Sequence, residues 1–285
     1  MRNRFASLFG AEVRIGAARR SLNVVRHGAF AKNGAVLLNT VLDEDLSPQA
    51  LGQHCRTVLT EAACAGLPLS ITLSDELVRL FMVTPPQNAA RLQDLSAAAS
   101  VRFQSLYGEP PREWRLSADW RTGKPFLACA VPRELMEQCG NLADDLRMPL
   151  VSLRPHFVSA WNISRSELSR AKDHAWLAVL RGSSLSLGIV TPKPHQHLCA
   201  VRGLTVPDGK AGLDWLQEQV ARAAIQAGVA APDLLLLAGD DRTEWADIQD
   251  VKLKVRHLVE DAMTGERRPQ TTSLPPYSPA KAASA

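Results

Sequence analysis

The feature that most constrains the fold is a pattern that occurs twice: an apolar run reaches a glycine, and a second apolar run follows. It occupies residues 13–25, with Gly16, and residues 178–190, with Gly182. Glycine takes the positive φ that a tight turn needs, so each stretch is predicted to be a β-hairpin that turns at its glycine. Two such hairpins in one chain indicate two similar half-structures that face each other.

The same series of elements follows each hairpin: a third strand, a helix and a fourth strand. The first helix has a clear start, because Ser47 suits the N-cap and Pro48 suits the first helical position. The second helix has an apolar stripe at helical spacing and ends at Gly228. The strands are predicted at 34–42, 69–73, 196–202 and 233–237, and the helices between 47 and 66 and at 213–227.

This repetition predicts an α/β protein with two halves, at residues 11–155 and 156–262. The first half carries an insertion, at about residues 86–122, that contains a helix and a strand. Trp114 and Trp120 lie on one face of that strand, which is either a core face or a surface for a partner. Two further segments are predicted to be a flexible start and a disordered tail, at residues 1–10 and 263–285.

The charge of the chain gives no sign of a nucleic-acid partner. The net charge is +4, from 33 basic and 29 acidic residues. The first twenty residues contain five arginines against Glu12 alone, which accounts for all of the excess. A nucleic-acid-binding protein concentrates basic residues on one face or stripe. Without such a stripe, nucleic acid is not an expected partner.

The cysteines and the apolar runs predict a cytosolic protein that reaches a membrane only through its partners. No apolar run approaches the roughly 18–20 residues that span a bilayer. The cysteines form no CxxC pair and are odd in number, which is typical of buried thiols in a reducing compartment. They are Cys55, Cys64, Cys129, Cys139 and Cys199.

Four segments, taken in order, carry a resemblance to a known family. They are Val13-Arg-Ile-Gly16, the Leu-Ser-Asp segment within 69–83, the Pro-Arg-Glu-Leu run within 125–135 with residues 146–159 after it, and the Gly182 hairpin with the strand at 234–239. Together they resemble the actin-like ATPase superfamily, and within it PilM-type pilus assembly proteins and the cytoplasmic domain of the type II secretion component GspL. The resemblance covers residues 11–260.

The resemblance implies a fold and the place of a nucleotide. The fold is α/β, with two ribonuclease-H-like halves around a cleft and a small insertion in the first half. Phosphates would lie against two turns, because backbone N–H groups in such turns bind anions. Adenosine would lie near the end of a strand in the second half. The residues implied are Gly16, Ala17, Gly182, Ser183 and Ser184 for the phosphates and Gly239 for adenosine.

Two departures from the family argue against catalysis. Active members carry an aspartate in each phosphate hairpin, and this chain has Arg14 and Leu180 at the matching positions. Neither side chain can hold a hard cation such as Mg²⁺, and metal supplies much of phosphoryl-transfer catalysis. We therefore expect no catalytic residue, no metal site and no required cofactor. Binding of ATP without turnover remains an alternative.

The other chemistry-bearing residues each have a simpler interpretation than a site. His195 and His197 lack a third metal ligand, and Ser183 lacks an identifiable base. Asp75 and Glu76 fit a turn or the start of a helix, with acid–base catalysis as the alternative. Lys124 fits a turn, and Asp144 and Asp145 fit the polar face of a helix.

Three functions are compatible with these features. The first is a non-catalytic adaptor of a type IV pilus or type II secretion-like assembly, peripheral at the inner membrane. The resemblance implies that it binds the cytoplasmic N-terminal segment of an inner-membrane protein near the insertion and first half, and it links that protein to the assembly ATPase. The second is a nucleotide-binding ATPase or small-molecule kinase of the same fold. The third is an interaction domain of an unrelated fold.

Overall fold

The computed structural model describes residues 10–28, 34–87, 89, 91–171, 174–192, 196–207, 211–240, 245, 253–258, 260–261 and 266–267. These residues form two five-stranded sheets, one three-stranded sheet, one two-stranded sheet and five α-helices.

The first five-stranded sheet has the order β3-β2-β1-β4-β8. Strands β1 to β3 form an antiparallel meander, and β4 and β8 run parallel to β1. The strands are β1 (Glu12–Ala18), β2 (Ser21–His27), β3 (Ala35–Val41), β4 (Leu69–Leu73) and β8 (Leu150–Pro155).

The second five-stranded sheet repeats this arrangement, with the order β11-β10-β9-β12-β13. Strands β9 to β11 form the antiparallel part, and β12 and β13 are parallel to β9. The strands are β9 (Ala175–Arg181), β10 (Ser184–Val190), β11 (Leu198–Thr205), β12 (Leu234–Gly239) and β13 (Lys254–His257). The predicted repetition of three strands, a helix and a fourth strand is therefore confirmed.

Five helices accompany the sheets: α1 (Pro48–Glu61), α2 (Leu92–Tyr107), α3 (Arg133–Asp145), α4 (His156–Arg170) and α5 (Leu213–Ala227). Their ends follow the sequence signals. The Ser47 hydroxyl caps α1 by accepting a hydrogen bond from the Ala50 N–H at 3.1 Å, with Pro48 at the first position. Gly228 ends α5 with a φ of 64°.

A third sheet lies between β4 and α3 in the chain and has the order β5-β7-β6. Its strands are β5 (Arg79–Val83), β6 (Trp114–Ala118) and β7 (Phe126–Pro132). It thus includes strands on both sides of residues 86–122, because β5 and β7 pair with each other rather than with the first five-stranded sheet. We call β5, β6, β7 and α2 the inserted unit.

The inserted unit contacts both halves. On one face of β5, Phe81 and Val83 pack with Phe103 of α2 in a separate small core. On the other face, Leu80 and Met82 pack against the core of the second half. The unit therefore joins the first half, where it starts, to the second half, on which it rests.

Helix α2 differs from its predicted position. Its Ala- and Leu-rich sequence predicts a helix at residues 88–102 with Leu92, Leu95 and Ala99 aligned on one face. The helix instead runs from Leu92 to Tyr107, because nothing interrupts it before Gly108, which has a φ of 68°. The expected apolar alignment holds for Leu95 and Ala99, which are buried. It is wrong for Leu92, which is exposed at the first position of the helix.

Several predicted features fall on or near residues outside the described set. Residues 1–9 are outside it, and so are most of the residues from 259 to the end. Within the predicted tail, Glu266–Arg267 forms a short strand, β15, paired with Glu260–Asp261, β14.

The described cysteines are all free, and four of them are buried, as predicted. Burial raises the thiol pKa of Cys55, Cys129 and Cys139 to about 12, so these groups stay protonated. Among the described residues, no helix is long and apolar enough to cross a membrane.

Candidate functional site

The two halves contact each other near their hairpin turns, and only the second of these turns lies where the sequence placed a phosphate. The β1–β2 turn is Arg19-Arg20 and the β9–β10 turn is Gly182-Ser183. The Arg181 guanidinium reaches from the second hairpin to the Ser21 hydroxyl of the first, at 3.5 Å. This contact agrees with the prediction of two half-structures that face each other.

Strand register shows which residues of the two hairpins correspond. Ala17 pairs with Leu73 at the end of β4, and Leu180 pairs with Gly239 at the end of β12. The Ala17 carbonyl accepts the N–H of Ser74 at 2.7 Å, and the Leu180 carbonyl accepts the N–H of Asp240 at 2.9 Å. Ala17 therefore corresponds to Leu180, and Arg19 corresponds to Gly182.

The prediction that the first hairpin turns at Gly16 is wrong. Gly16 lies inside β1, paired with Asn23 on one side and Thr72 on the other, and its φ is not positive. The strand continues through Ala17 and Ala18 because small residues fit a buried strand as well as a turn. Gly182 does turn the second hairpin, with a φ of 56°.

The pairing of Arg14 with Leu180 as matching positions is also wrong. Arg14 lies on β1 three residues before Ala17, beside Glu12, with which it forms an ion pair. Leu180 is fully buried in the core of the second half. The two side chains therefore do not face each other across a crevice, and the residue that matches Leu180 is Ala17, which is also apolar and buried.

Each hairpin turn has a backbone N–H that is bonded to a carboxylate. The N–H of Arg19 donates to Glu76 Oε1 at 2.6 Å, and the N–H of Gly182 donates to Asp240 Oδ2 at 2.6 Å. Asp240 Oδ1 also accepts from Arg181 Nη1 at 2.9 Å. Glu76 lies in a one-turn 3₁₀ helix (Asp75–Leu77) after β4, and Asp240 directly follows β12.

A third carboxylate lies between the two sheets. Asp75 Oδ1 accepts the N–H of Phe157, near the start of α4, at 2.9 Å. Burial raises the pKa of Asp75 to about 6, although the Phe157 N–H and a hydrogen bond from Ser186 on β10 oppose the rise. Asp75 thereby ties the end of β4 to α4 and to the second sheet.

The remaining predicted nucleotide residues are placed as follows. Ser183 is exposed in the second turn, Ser184 begins β10, and Gly239 ends β12 with a φ of 97°. The turn at Gly182 therefore has Ser183, Ser184 and Gly239 around it, whereas Gly16 and Ala17 lie within a strand of the other half.

A separate pocket of about 260 Å³ lies where the first half meets the inserted unit. Trp114 lines it, together with Arg79, and the Arg79 guanidinium lies 5.3 Å from the centre of the Trp114 ring. The prediction that Trp120 lies on the same strand is wrong: β6 ends at Ala118, Trp120 has a φ of 44°, and its ring centre lies 5.9 Å from that of Phe126, away from the pocket. The other lining residues are Leu46, Pro48, Leu51, Glu76, Leu77, Pro132 and Leu135.

Asp145 and Lys124 have the simple structural roles predicted for them, whereas Asp75 and Glu76 make the specific contacts described above. Asp145 forms an ion pair with Arg56, and Lys124 is exposed in the turn between β6 and β7. His195 lies outside the described residues. Among the described residues, no group of three His, Cys, Asp or Glu side chains is placed to hold a metal ion.

Sequence reasoning missed Asp240 and Arg181 and gave Glu76 a different role. One signal was available for Asp240. It follows a glycine at the end of an apolar parallel strand, where strand ends of a sheet carry functional side chains. The position of the first turn could not be predicted in this way, because the turn is Arg19-Arg20 and contains none of the residues that usually mark a tight hairpin turn.

No protein-family model matches this chain, and no curated protein matches its sequence. Several solved structures are similar to it in fold. The cytoplasmic domain of EpsL, an inner-membrane component of the type II secretion system of Vibrio cholerae, is similar over 90% of this chain and 94% of its own, with a TM-score of 0.56 and 11% identity. An actin-like ATPase-fold protein of unknown function from Bacteroides thetaiotaomicron is similar over 85% and 86%, with a TM-score of 0.57 and 8% identity.

At such low identity the likeness concerns the fold. It agrees with the two matching five-stranded sheets. The predicted fold class is therefore confirmed: this chain has the actin-like ATPase fold, with two ribonuclease-H-like halves.

Proposed function

We propose that this protein is a non-catalytic cytoplasmic adaptor, of PilM or GspL type, in a type IV pilus or type II secretion-like assembly. It binds the cytoplasmic N-terminal segment of an inner-membrane partner. The observation that carries the proposal is the pocket beside Trp114, between the first half and the inserted unit. The similar fold of EpsL, an inner-membrane component of a secretion system, supports the setting.

The pocket suits an extended peptide better than a small-molecule substrate. Its volume of about 260 Å³ is below the range of about 300–1,000 Å³ that is usual for small-molecule sites. Its lining is mostly aliphatic, with one indole ring and with two charged residues, Glu76 and Arg79. Such a pocket accepts one or two apolar side chains of a segment whose backbone or charges reach Glu76 and Arg79.

The hairpin residues support a role without catalysis. Ala17 and Leu180 occupy corresponding places beside the two turns, and both are apolar and buried. Neither can ligate Mg²⁺. The alternative, a nucleotide-binding ATPase or kinase, agrees with the fold. It needs a carboxylate that could hold Mg²⁺ between the two hairpin turns, whereas Glu76 and Asp240 there already accept backbone N–H groups.

Binding of partner peptides tests the adaptor. Synthetic cytoplasmic N-terminal segments of the single-span membrane proteins encoded beside this gene would be titrated into the full chain by calorimetry. Trp114→Ala is expected to weaken binding at least about tenfold, as removal of a central aromatic anchor does. The matched control is Trp120→Ala, which removes a similarly half-buried ring from the same small core but not from the pocket.

Two results would count against the proposal. One is equal weakening by both tryptophan variants, which would indicate loss of the inserted unit rather than of a contact. The other is release of phosphate from ATP and Mg²⁺ by the wild-type chain, which would favour the enzyme.

A further inference from the structure

The two hairpin turns present their backbone N–H groups in the same way, although their sequences differ. Arg19 and Gly182 occupy corresponding positions, and each donates its N–H to a carboxylate oxygen at 2.6 Å. The carboxylates themselves do not correspond. Asp240 directly follows β12, whereas Glu76 lies three residues beyond β4 and reaches back with a longer side chain. The same contact has therefore been built twice from different residues.

Both carboxylate oxygens of Asp240 accept hydrogen bonds. One of its oxygens accepts the Gly182 N–H, and the other accepts from Arg181 at 2.9 Å. Hydrogen bonds to an ionised carboxylate are stronger than neutral ones, and a guanidinium adds charge and fixed geometry. Arg181 also reaches Ser21 of the other half. The Asp240 carboxylate and the Arg181 guanidinium therefore both lie beside the second turn.

Backbone N–H groups of a turn can line a small concavity that binds an anion, and the Arg181 guanidinium adds a positive charge beside the second turn. A phosphate that approached Gly182 would have to displace Asp240 and would meet its negative charge. The same holds for Arg19 and Glu76. The N–H donors that a phosphate would need are therefore already bonded to carboxylates of the same chain.

We infer that Glu76 and Asp240 are internal ligands of two latent phosphate-binding turns, each occupying the N–H on which a phosphate would be held. The turns are thus fixed in place without nucleotide. Removing one carboxylate opens its own turn, and only that turn, to a phosphate or polyphosphate anion. Glu76 also lines the pocket proposed for the partner peptide, whereas Asp240 does not, so Asp240→Ala tests this inference separately from the proposed function.

The test follows the backbone amide resonances of Arg19 and Gly182 in ¹⁵N-labelled full-length protein while inorganic pyrophosphate is added. In the wild type both amides are expected to exchange slowly with solvent and to keep their chemical shifts at millimolar pyrophosphate. In Asp240→Ala the Gly182 resonance is expected to shift and saturate while that of Arg19 stays. In Glu76→Ala the Arg19 resonance is expected to shift while that of Gly182 stays.

Asp240→Asn is the matched control, because its amide oxygen still accepts the Gly182 N–H. It is expected to stay closed to pyrophosphate. Glu76 is in an exposed contact, so Glu76→Ala gives a folded test protein even where Asp240→Ala does not.

Three outcomes would overturn the inference. The first is a saturating shift of either amide in the wild type, which would mean that phosphate binds despite the carboxylates. The second is a folded single alanine variant whose own turn does not respond to pyrophosphate. The third is fast solvent exchange of both amides in the wild type, which would mean that the carboxylates do not hold them.

Discussion

Gly239 occupies a position that only glycine fits. Its φ is 97°, and a Cβ added there would lie 2.0 Å from the carbonyl oxygen of Leu180, a backbone atom that cannot move aside. The close approach is what lets Asp240 donate its N–H to that same carbonyl. Gly239 thus sets the geometry of the second hairpin, and its role is structural whether or not any nucleotide is bound.

Gly239→Ala is expected to lower the free energy of unfolding by at least about 3 kcal/mol, through backbone strain and the clash with Leu180. Urea denaturation measures it. The control is Gly140→Ala within α3, where a Cβ meets nothing within 4 Å. It should raise stability by about 0.5–1 kcal/mol, because alanine is the better helix former. A small effect of Gly239→Ala would contradict this account of the second turn.

Asp75 makes the stability of the junction depend on pH. Its folded pKa of about 6 lies above the ordinary value of 3.8, because burial disfavours the charged form and Glu76 adds a like charge. Its contribution to stability is therefore complete below about pH 4 and is lost as pH rises through about 6. The thiol of nearby Cys129, whose own pKa is raised to about 12, stays neutral over this range.

Asp75→Asn should remove this dependence, because the amide oxygen still accepts the Phe157 N–H and carries no charge to desolvate. Between pH 4 and pH 7 the wild type should lose about 1–3 kcal/mol of stability relative to the variant. Urea denaturation of both proteins across that range measures the difference. A constant difference at all pH values would show that Asp75 does not titrate as described.

At the scale of single residues, sequence reasoning succeeded where one residue type has one structural use. Gly182 and Gly228 were expected to take positive φ, and both do. The prediction for Gly16 was wrong because glycine also occurs inside strands, as here between β2 and β4. The contacts of Glu76 and Asp240 could not be foreseen, because each joins residues 57 or 58 positions apart in the sequence.

At the scale of elements, periodicity predicted nearly every helix and strand, since each buries one apolar face. Periodicity does not say which strands pair. The apolar run at residues 125–131 predicts a central strand, and β7 is central, but in the sheet of the inserted unit, between β5 and β6. An apolar strand fits any sheet that covers it, so its partners depend on contacts distant in sequence.

At the scale of the whole molecule, the inserted unit couples the two halves. Met82 lies on β5 but packs against the core of the second half. Met82→Asp would place a charge in that contact, and it should cost about 2 kcal/mol or more. The expected result is that unfolding in urea, followed by tryptophan fluorescence, separates into two transitions as the halves lose their coupling.

The control for this prediction is Val101→Asp on the outer face of α2, where the side chain is 70% exposed. It should leave stability within about 0.5 kcal/mol of the wild type. A single sharp transition for Met82→Asp, at unchanged stability, would show that the halves are joined by other contacts.

The position of the inserted unit also decides how this chain can be recombined with its structural relatives. A chimera that exchanges only residues 156–285 would set a foreign core against Leu80, Met82 and Leu127, which are fitted to the native one. A transplant that is to fold must therefore carry β5 and β7 along with the second half, even though they belong to the first half of the gene.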